Sequence, residues 1–271
     1  MQSQSFLISS YILTIVRYSD LIAQLVRREF QMRFRGAILG TLWAIINPLI
    51  NLLMYAFVFG VIFHSRWETQ ATPQSFLIIV LLGMCIHAIL AESLSRAPST
   101  IIGQPAYVKK VVFPLEILPI VVTVNSVINA LITLVVVLLA SVIINAGIPP
   151  SALLLPIVIL PYIILVTGIV LFVSSIGVYI RDMAQITGMI TTLTLFLAPV
   201  FYPLSAVPER YRSLLYLNPV TMIVEDAREV TLYGHAPYWP GLAIYALIAC
   251  LIFWLGYCWF QKSRNGFADV V

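Results

Sequence analysis

Arg27, Arg28, Arg33 and Arg35 lie within nine residues of one another, directly before an apolar stretch that begins near residue 38. A guanidinium group binds phosphate and carboxylate oxygens through two parallel hydrogen bonds, so this cluster can receive an anionic lipid headgroup such as a pyrophosphate. Cations beside a membrane span can also serve only to keep that side of the chain in the cytoplasm. The sequence leaves both interpretations open.

Residues 18 to 36, which carry these arginines, show the pattern of an amphipathic helix. One arc of the helical wheel is polar and the rest is mostly apolar, with Glu29 and Arg33 as the exceptions. Such a helix is typical of the membrane interface. We therefore expect its apolar face to lie among acyl chains and its arginines at the level of the headgroups.

The composition indicates a membrane protein. Of the 271 residues, 61% are hydrophobic and only 10% are charged, and the mean hydropathy is +1.01. A helix needs about 20 apolar residues to cross a bilayer. We predict an all-α polytopic membrane protein with one transmembrane domain of six spans, at residues 38–63, 75–95, 115–144, 153–178, 186–202 and 241–260.

The positions of the cations predict the orientation. With the N-terminus in the cytoplasm, 11 of the 15 Lys and Arg residues fall on the cytoplasmic side and 4 on the outer side. We therefore predict a multi-pass membrane protein with both termini in the cytoplasm. The net charge of +4 follows from this topology and gives no reason to expect nucleic acid. The cysteines form no CxxC motif, and we expect no metal, no catalytic residue and no cofactor in this chain.

Trp43, Asn47, Asn51 and Tyr55 recur at every fourth position of the first predicted span. Asparagines are disfavoured against lipid, so this face is expected either to bond a neighbouring helix or to line a hydrated conduit. Aromatic rings stack on the apolar faces of sugars, although aromatic residues also form membrane belts and cores. The candidates for a glycan path are Trp43, Asn47, Asn51, Tyr55, Phe59, Phe63, Phe196, Phe201 and Tyr202.

Two segments between the spans contain short helical patterns. In the cytoplasmic loop at residues 98–112, prolines and a glycine leave room for one helix at residues 106–112. Just before it, Glu92 and Arg96 have the i, i+4 spacing of a local ion pair. In the outer segment, residues 208–233 predict two short helices that are broken at Asn218–Pro219, with Gly234 capping the second. These outer helices are expected either to dip into the outer leaflet as re-entrant helices or to pack over the bundle as a cap.

Three stretches in order resemble the permease subunits of polysaccharide-exporting ABC transporters of the ABC-2 type. The first is a Leu-Gly-x-x-Trp-x-x-x-x-Pro run at Leu39, Gly40, Trp43 and Pro48. The second has Lys109 followed by Phe113 and Pro114, and the third has Tyr216, Asn218 and Pro219 followed by an acidic and arginine helix and Leu-Tyr-Gly. The family exports O-antigen, capsule or teichoic acid, and this chain is most similar to the O-antigen exporters.

The resemblance implies a homodimer with two copies of a separate ATPase subunit, which binds the ATP and Mg. It implies a polyprenyl-pyrophosphate-linked glycan as the substrate, moved from the cytoplasm to the outer face of the bacterial cytoplasmic (inner) membrane. The cytoplasmic loop would contact the ATPase, with Gln104, Tyr107, Lys109, Lys110 and Phe113 as the candidate coupling residues. The outer helices would form a gate, with Tyr211, Tyr216, Asn218, Pro219, Glu225 and Arg228 as its candidate residues.

Other classes of protein fit the sequence less well. The chain has no GxxxxGK[ST] motif, so it is not expected to hydrolyse ATP itself. The alternative is a proton- or ion-coupled secondary transporter, which usually needs buried carboxylates within its spans. No acidic residue lies near the middle of a predicted span. An intramembrane enzyme is a third possibility, but the chain has neither a GxSxG nor an HExxH motif.

Overall fold

The computed structural model describes residues 8–55, 57–58, 73–109, 113–145 and 147–271. Within these ranges every regular element is helical, which confirms the all-α class. Four helices are long and apolar enough to cross a membrane. They are α4 (Pro73–Arg96), α6 (Ile117–Asn145), α7 (Leu155–Gly177) and α11 (Trp239–Ser263).

Two shorter apolar helices occupy the first and fifth predicted spans. Helix α3 covers Trp43–Tyr55 and follows a 3-10 turn, and helix α8 covers Met183–Leu197. At 1.5 Å per residue, the 15 residues of α8 extend only about 22 Å, less than the thickness of a bilayer core. Helix α8 ends five residues before the predicted limit because Ala198 is extended, as expected for a residue that precedes a proline. Six complete spans stay a prediction.

Helix α4 is the centre of the bundle. Ile78, Leu82, Ile86 and Leu90 recur at every fourth position on one of its faces and are almost completely buried. They form one apolar core with side chains of α6, α7 and α11. Helix α4 therefore fixes the positions of its neighbours, including the short helix α8, which packs against it.

Helices α7 and α11 pack most closely, at a contact between two glycines. A Cβ atom built on Gly256 would lie 2.1 Å from the carbonyl oxygen of Gly168, and one built on Gly168 would lie 2.4 Å from the Cα atom of Phe253. Any larger side chain at either position would force the two backbones apart, because neither backbone can move without disturbing its own helix.

The N-terminal helices α1 (Ile8–Arg17) and α2 (Ser19–Arg33) lie against the bundle. Ile22, Leu25 and Val26 of α2 are buried in a second core with residues of α6 and α11. The expectation that the apolar face of α2 lies among acyl chains is therefore wrong for these residues, which pack on protein. The amphipathic pattern located an interface but did not indicate what the apolar face contacts.

The remaining helices are short and lie at the two ends of the bundle. The C-terminal ends of α4 and α11 and the N-terminal end of α6 lie beside α2, and we name this the arginine-rich end. It also holds α5 (Pro105–Val108) and α12 (Phe267–Val270). The opposite end holds α9 (Glu209–Leu215) and α10 (Thr221–Arg228), which continues as a π-helical turn over Glu229–Tyr233. Gly234 ends that turn with a φ of +79°, so the predicted glycine cap is present.

The glycine contact generates a stability prediction. Gly256→Ala should destabilise the protein by about 1–3 kcal/mol, the usual cost of overpacking a buried contact. The matched control is Gly188→Ala on α8, where an added Cβ meets no atom within 4 Å and alanine favours the helix. Thermal unfolding of the purified chain in nanodiscs measures both changes. An unchanged melting temperature for Gly256→Ala would contradict the close packing of α7 and α11.

Candidate functional site

The four predicted headgroup arginines lie at the arginine-rich end, on α2 and the turn that follows it. All four side chains are exposed. The Nη1 atom of Arg28 donates a hydrogen bond of 3.1 Å to the hydroxyl of Tyr107, and that of Arg33 pairs with Glu92 at 2.6 Å. In the part of the chain that the structure describes, Arg27 and Arg35 pair with no side chain. The surface thus carries two unpaired and two partly engaged guanidinium groups.

Helices α2 and α4 are joined by two ion pairs, whose partners follow one another in opposite order along the two helices. Glu29 and Arg33 lie one turn apart on α2, and Glu92 and Arg96 lie one turn apart on α4. Glu29 pairs with Arg96, and Arg33 pairs with Glu92. Because the earlier residue of α2 pairs with the later residue of α4, the two helices run in opposite directions at this contact. We name this group the crossed ion pairs. The predicted local pair between Glu92 and Arg96 is wrong, since each residue pairs with α2 instead.

Helix α6 completes this contact with two asparagines that also lie one turn apart. The Nδ2 atom of Asn129 donates to both carboxylate oxygens of Glu92, at 2.7 and 3.0 Å. The Nδ2 atom of Asn125 lies 3.4 Å from Glu29 Oε2 and 3.0 Å from the carbonyl oxygen of Val121. Each carboxylate therefore bridges three helices. The sequence signal for this site was that three separate segments each carry two polar residues at i, i+4 spacing.

The loop at residues 98–112, which is predicted to be cytoplasmic, lies beside the crossed ion pairs and lines a cavity together with Glu29 and Arg96. Helix α5 covers Pro105–Val108, and the last three residues of the helix predicted at residues 106–112 lie outside the described residues. The ring of Tyr107 stacks on Phe113, with centroids 4.4 Å apart, and also contacts Arg28. Because Arg28 belongs to α2, the loop and α2 are in direct contact.

The other candidate coupling residues lie in or beside this loop. Gln104 lines a cavity of about 150 Å³ that is also lined by Glu29 and Arg96. Lys109 is exposed. Lys110 lies outside the described residues. Just after the loop, Glu116 pairs with Arg264 at 3.1 Å. Arg264 directly follows α11, so this ion pair joins the segment before α6 to the C-terminal end of α11.

The candidate glycan-path residues fall into two groups. On α3, Asn47 and Asn51 are exposed and Trp43 and Tyr55 are half-buried; Phe59 and Phe63 lie outside the described residues. Helix α3 buries none of its residues, although Tyr55 and Leu52 pack partly on the main core. An apolar helix with two exposed amides needs a polar or protein surface on that face, because lipid offers the amides no partner.

The second group lies where α8 ends. Phe196 is 63% exposed, and its ring centroid is 6.3 Å from that of the half-buried Phe201. The hydroxyl of Tyr202 donates to the carbonyl oxygen of Phe196 at 3.0 Å. The structure therefore brings these three predicted aromatic residues together at the opposite end of the bundle.

Arg228 is the most buried charged side chain at the opposite end, with 1% of it exposed. Its guanidinium donates to the carbonyl oxygens of Pro199 at 2.6 Å, Val200 at 3.1 Å and Ile79 at 3.2 Å. It also pairs with Glu225 at 2.8 Å. A single side chain thus holds α10, α4 and the end of α8 together.

Burial sets the electrostatics of this pair. It lowers the pKa of Arg228, an effect that the nearby charge of Glu225 partly offsets. Burial also raises the pKa of Glu225, and Arg228 partly offsets that shift. Each group therefore stabilises the charged form of the other against the loss of water. Gly83 of α4 makes room for the arginine, since a Cβ there would lie 2.9 Å from its Nη2 atom.

Asn218 and Pro219 separate α9 from α10, as the sequence indicated. The Nδ2 atom of Asn218 donates to the carbonyl oxygen of Thr194 on α8 at 2.8 Å, while its Oδ1 atom accepts from the backbone N–H of Val220 at 3.0 Å. The carbonyl oxygen of Pro219 accepts a hydrogen bond from Tyr245. Tyr211 and Tyr216 of the same region are about half exposed. Like Arg228, Asn218 fastens the outer helices to α8.

These features define an integral membrane protein whose charged residues gather at two ends of an apolar bundle. The sequence model described as ABC-2 type transporter matches residues 20–232, and the chain belongs to this family. The predicted resemblance is therefore confirmed.

Several relatives cover almost the whole chain. An O-antigen export system permease protein RfbA of Myxococcus xanthus is 27% identical, over 95% of this chain and 97% of that protein. A second RfbA, from Klebsiella pneumoniae, is 22% identical over 93% of this chain and 95% of that protein. The polysialic acid transport protein KpsM of Escherichia coli is 24% identical over 90% of this chain and 93% of that protein.

The crossed ion pairs predict a charge-swap result. Arg96→Glu places a second carboxylate against Glu29 and should loosen α2 by about 1 kcal/mol, because the pair is only partly buried. Glu29→Arg combined with Arg96→Glu restores opposite charges, and the swap should recover most of the loss. Hydrogen exchange of the α2 backbone amides measures it. A double variant as labile as the single one would contradict the pairing.

Arg228 predicts a larger effect at the opposite end. Arg228→Met removes the donor to three carbonyl oxygens and leaves Glu225 without its partner, which should cost roughly 3 kcal/mol. Arg210→Met, at an exposed position of α9, is the matched control and should change stability little. Thermal unfolding in nanodiscs compares the two. Equal melting temperatures would show that Arg228 does not hold the three segments together.

Proposed function

We propose that this chain is the membrane subunit of an ATP-driven exporter that moves a lipid-linked polysaccharide, of the O-antigen kind, across the bacterial cytoplasmic membrane. The family and the named relatives support the class of cargo. The single observation that carries the mechanism is the direct contact of α2 with the cytoplasmic loop. Through Arg28–Tyr107, the arginine-bearing helix is bonded to the loop that would meet an ATPase, and through Glu29–Arg96 it is bonded to the end of α4, just before that loop.

The proposed substrate group is a diphosphate. Arg27 and Arg35 are exposed and unpaired among the described residues, and Arg28 and Arg33 lie beside them. Several guanidinium groups on one surface suit a ligand with several anionic oxygens. The sugar chain would then follow the exposed amides of α3 and the aromatic residues that end α8.

The proposed assembly is a homodimer with two copies of a separate ATPase, which binds the ATP and Mg. The absence of a GxxxxGK[ST] motif from the sequence supports a separate motor. The exposed amides of α3 and the largely exposed surface of α8 support a second copy, because these surfaces need a partner or a hydrated path. Within the described residues, one copy has four helices of spanning length.

The proposed orientation places the arginine-rich end and both termini in the cytoplasm. Most described cations lie at this end, which agrees with the preference of cytoplasmic segments for Lys and Arg. The outer helices α9 and α10 then lie at the external face, where a gate would act. Asn218 and Arg228 attach these outer helices to α8 and α4, so the outer helices would move when the bundle moves.

The test is the ATP turnover of the chain in complex with its cognate ATPase, in nanodiscs, with and without a polyprenyl-diphosphate-linked glycan. Arg27→Gln combined with Arg35→Gln removes the two unpaired arginines without breaking an ion pair. We expect the stimulation by substrate to fall severalfold, while the basal turnover stays the same.

Arg17→Gln combined with Lys262→Gln removes the same charge at the same end, outside the cluster, and is the control. Equal stimulation in both double variants would show that Arg27 and Arg35 do not bind the substrate. If no ATPase associates with the chain, the exporter proposal is wrong and an ion-coupled transporter becomes the better explanation.

A further inference from the structure

Arg33 differs from the other arginines of its cluster because it already holds a carboxylate. Its side chain is 48% exposed, whereas that of Glu92 is only 19% exposed. The side chain of Arg33 is therefore accessible to solvent, as those of Arg27 and Arg35 are, whereas its partner Glu92 is largely buried. An anionic ligand that binds Arg33 must compete with Glu92 for it.

The contacts around Glu92 allow such an exchange. If Arg33 bonds to a ligand instead, Glu92 still accepts the two hydrogen bonds from Asn129 and so keeps a polar partner. Helix α2 also stays in place, because Glu29 remains bonded to Arg96 and Ile22, Leu25 and Val26 stay buried. One of the crossed ion pairs can thus open while the other holds.

We propose that Glu92 is an internal competitor for the diphosphate group, and that ligand binding transfers Arg33 from Glu92 to the ligand. The inference rests on the proposed function, because it assumes that the arginines of α2 receive an anionic group. Its consequence lies in α4. The helix loses one of its two charged bonds to α2 only one turn before Arg96, where the cytoplasmic loop begins. Ligand binding at the headgroup site thereby changes the contacts of α4 immediately before the loop.

The exchange has a clear thermodynamic signature. An internal competitor lowers the affinity for the ligand, so removing it must tighten binding. Glu92→Gln keeps the shape of the side chain and one oxygen that accepts from Asn129, but it removes the negative charge that holds Arg33. A partly exposed ion pair supports a change in dissociation constant of about two- to fivefold.

The experiment measures the binding of two radiolabelled probes to the chain in complex with its ATPase, in nanodiscs of neutral lipid. The probes are inorganic pyrophosphate and a polyprenyl diphosphate. Glu92→Gln should tighten binding, and Arg33→Gln should weaken it. In the Arg33→Gln background, adding Glu92→Gln should change nothing, because no arginine is left to release. An effect with both probes identifies the diphosphate as the determinant, and an effect with the polyprenyl probe alone identifies a lipid headgroup.

The control for general electrostatics is Glu116→Gln, which removes a carboxylate at the same end that pairs with Arg264 instead. It should leave the dissociation constant unchanged. If Glu92→Gln fails to assemble, Glu92→Asp withdraws the carboxylate from Arg33 by one methylene and should also tighten binding.

The outcomes separate the inference from the proposed function. Binding that depends on the arginines but is not tightened by Glu92→Gln overturns the competition and keeps the proposed site. Tightening that persists in the Arg33→Gln background also overturns it, since the effect would then be a general one of charge. If the wild type binds neither probe saturably, both proposals fall.

Discussion

The crossed ion pairs between α2 and α4 are the interaction on which the arrangement of the arginine-rich end depends. Four charges lie where three helices meet, and a carboxylate there would be costly without a partner. Glu29 meets Arg96 and Arg33 meets Glu92, and the side-chain amides of Asn125 and Asn129 on α6 donate to the same two carboxylates. A shift of α2 by one turn would break every one of these contacts. The register of α2 is therefore set by charge, and its adhesion by the buried Ile22, Leu25 and Val26.

The opposite end solves a similar problem with one residue. Arg228 is buried, and carbonyl oxygens that belong to α4 and to the end of α8 accept its hydrogen bonds. These carbonyl groups are available partly because α8 stops at Leu197, where the chain becomes extended before Pro199. The early end of α8 and the burial of Arg228 are thus two parts of one arrangement. Helices α9 and α10 are thereby attached to the bundle at the end opposite to the arginine-rich end.

Between the two ends, the chain combines a tight core with two incompletely buried helices. Helices α7 and α11 meet at two glycines, and α4 is buried along one face. Helix α3, in contrast, buries no residue, and α8 buries only Thr187. The exposed surface of α3 includes Asn47 and Asn51, for which lipid is a poor solvent. A tightly packed core and helices with largely exposed surfaces therefore coexist in the described part of the chain.

The sequence by itself determined the class of the protein, because hydropathy and charge act residue by residue. It indicated the long apolar helices within a few residues, the amphipathic α2, the break at Asn218–Pro219 and the cap at Gly234. It also contained the motifs of the family, which the comparisons confirmed.

Only the tertiary structure decided which charges meet. Glu92 and Arg96 have the spacing of a local pair, yet each bonds to α2, because Coulomb energy and the loss of water depend on distances between segments far apart in the chain. The partners of Arg228, the close contact of Gly168 with Gly256 and the protein surface beneath α2 were decided in the same way. Periodicity predicts which face of a helix is apolar or charged, and packing selects what that face contacts.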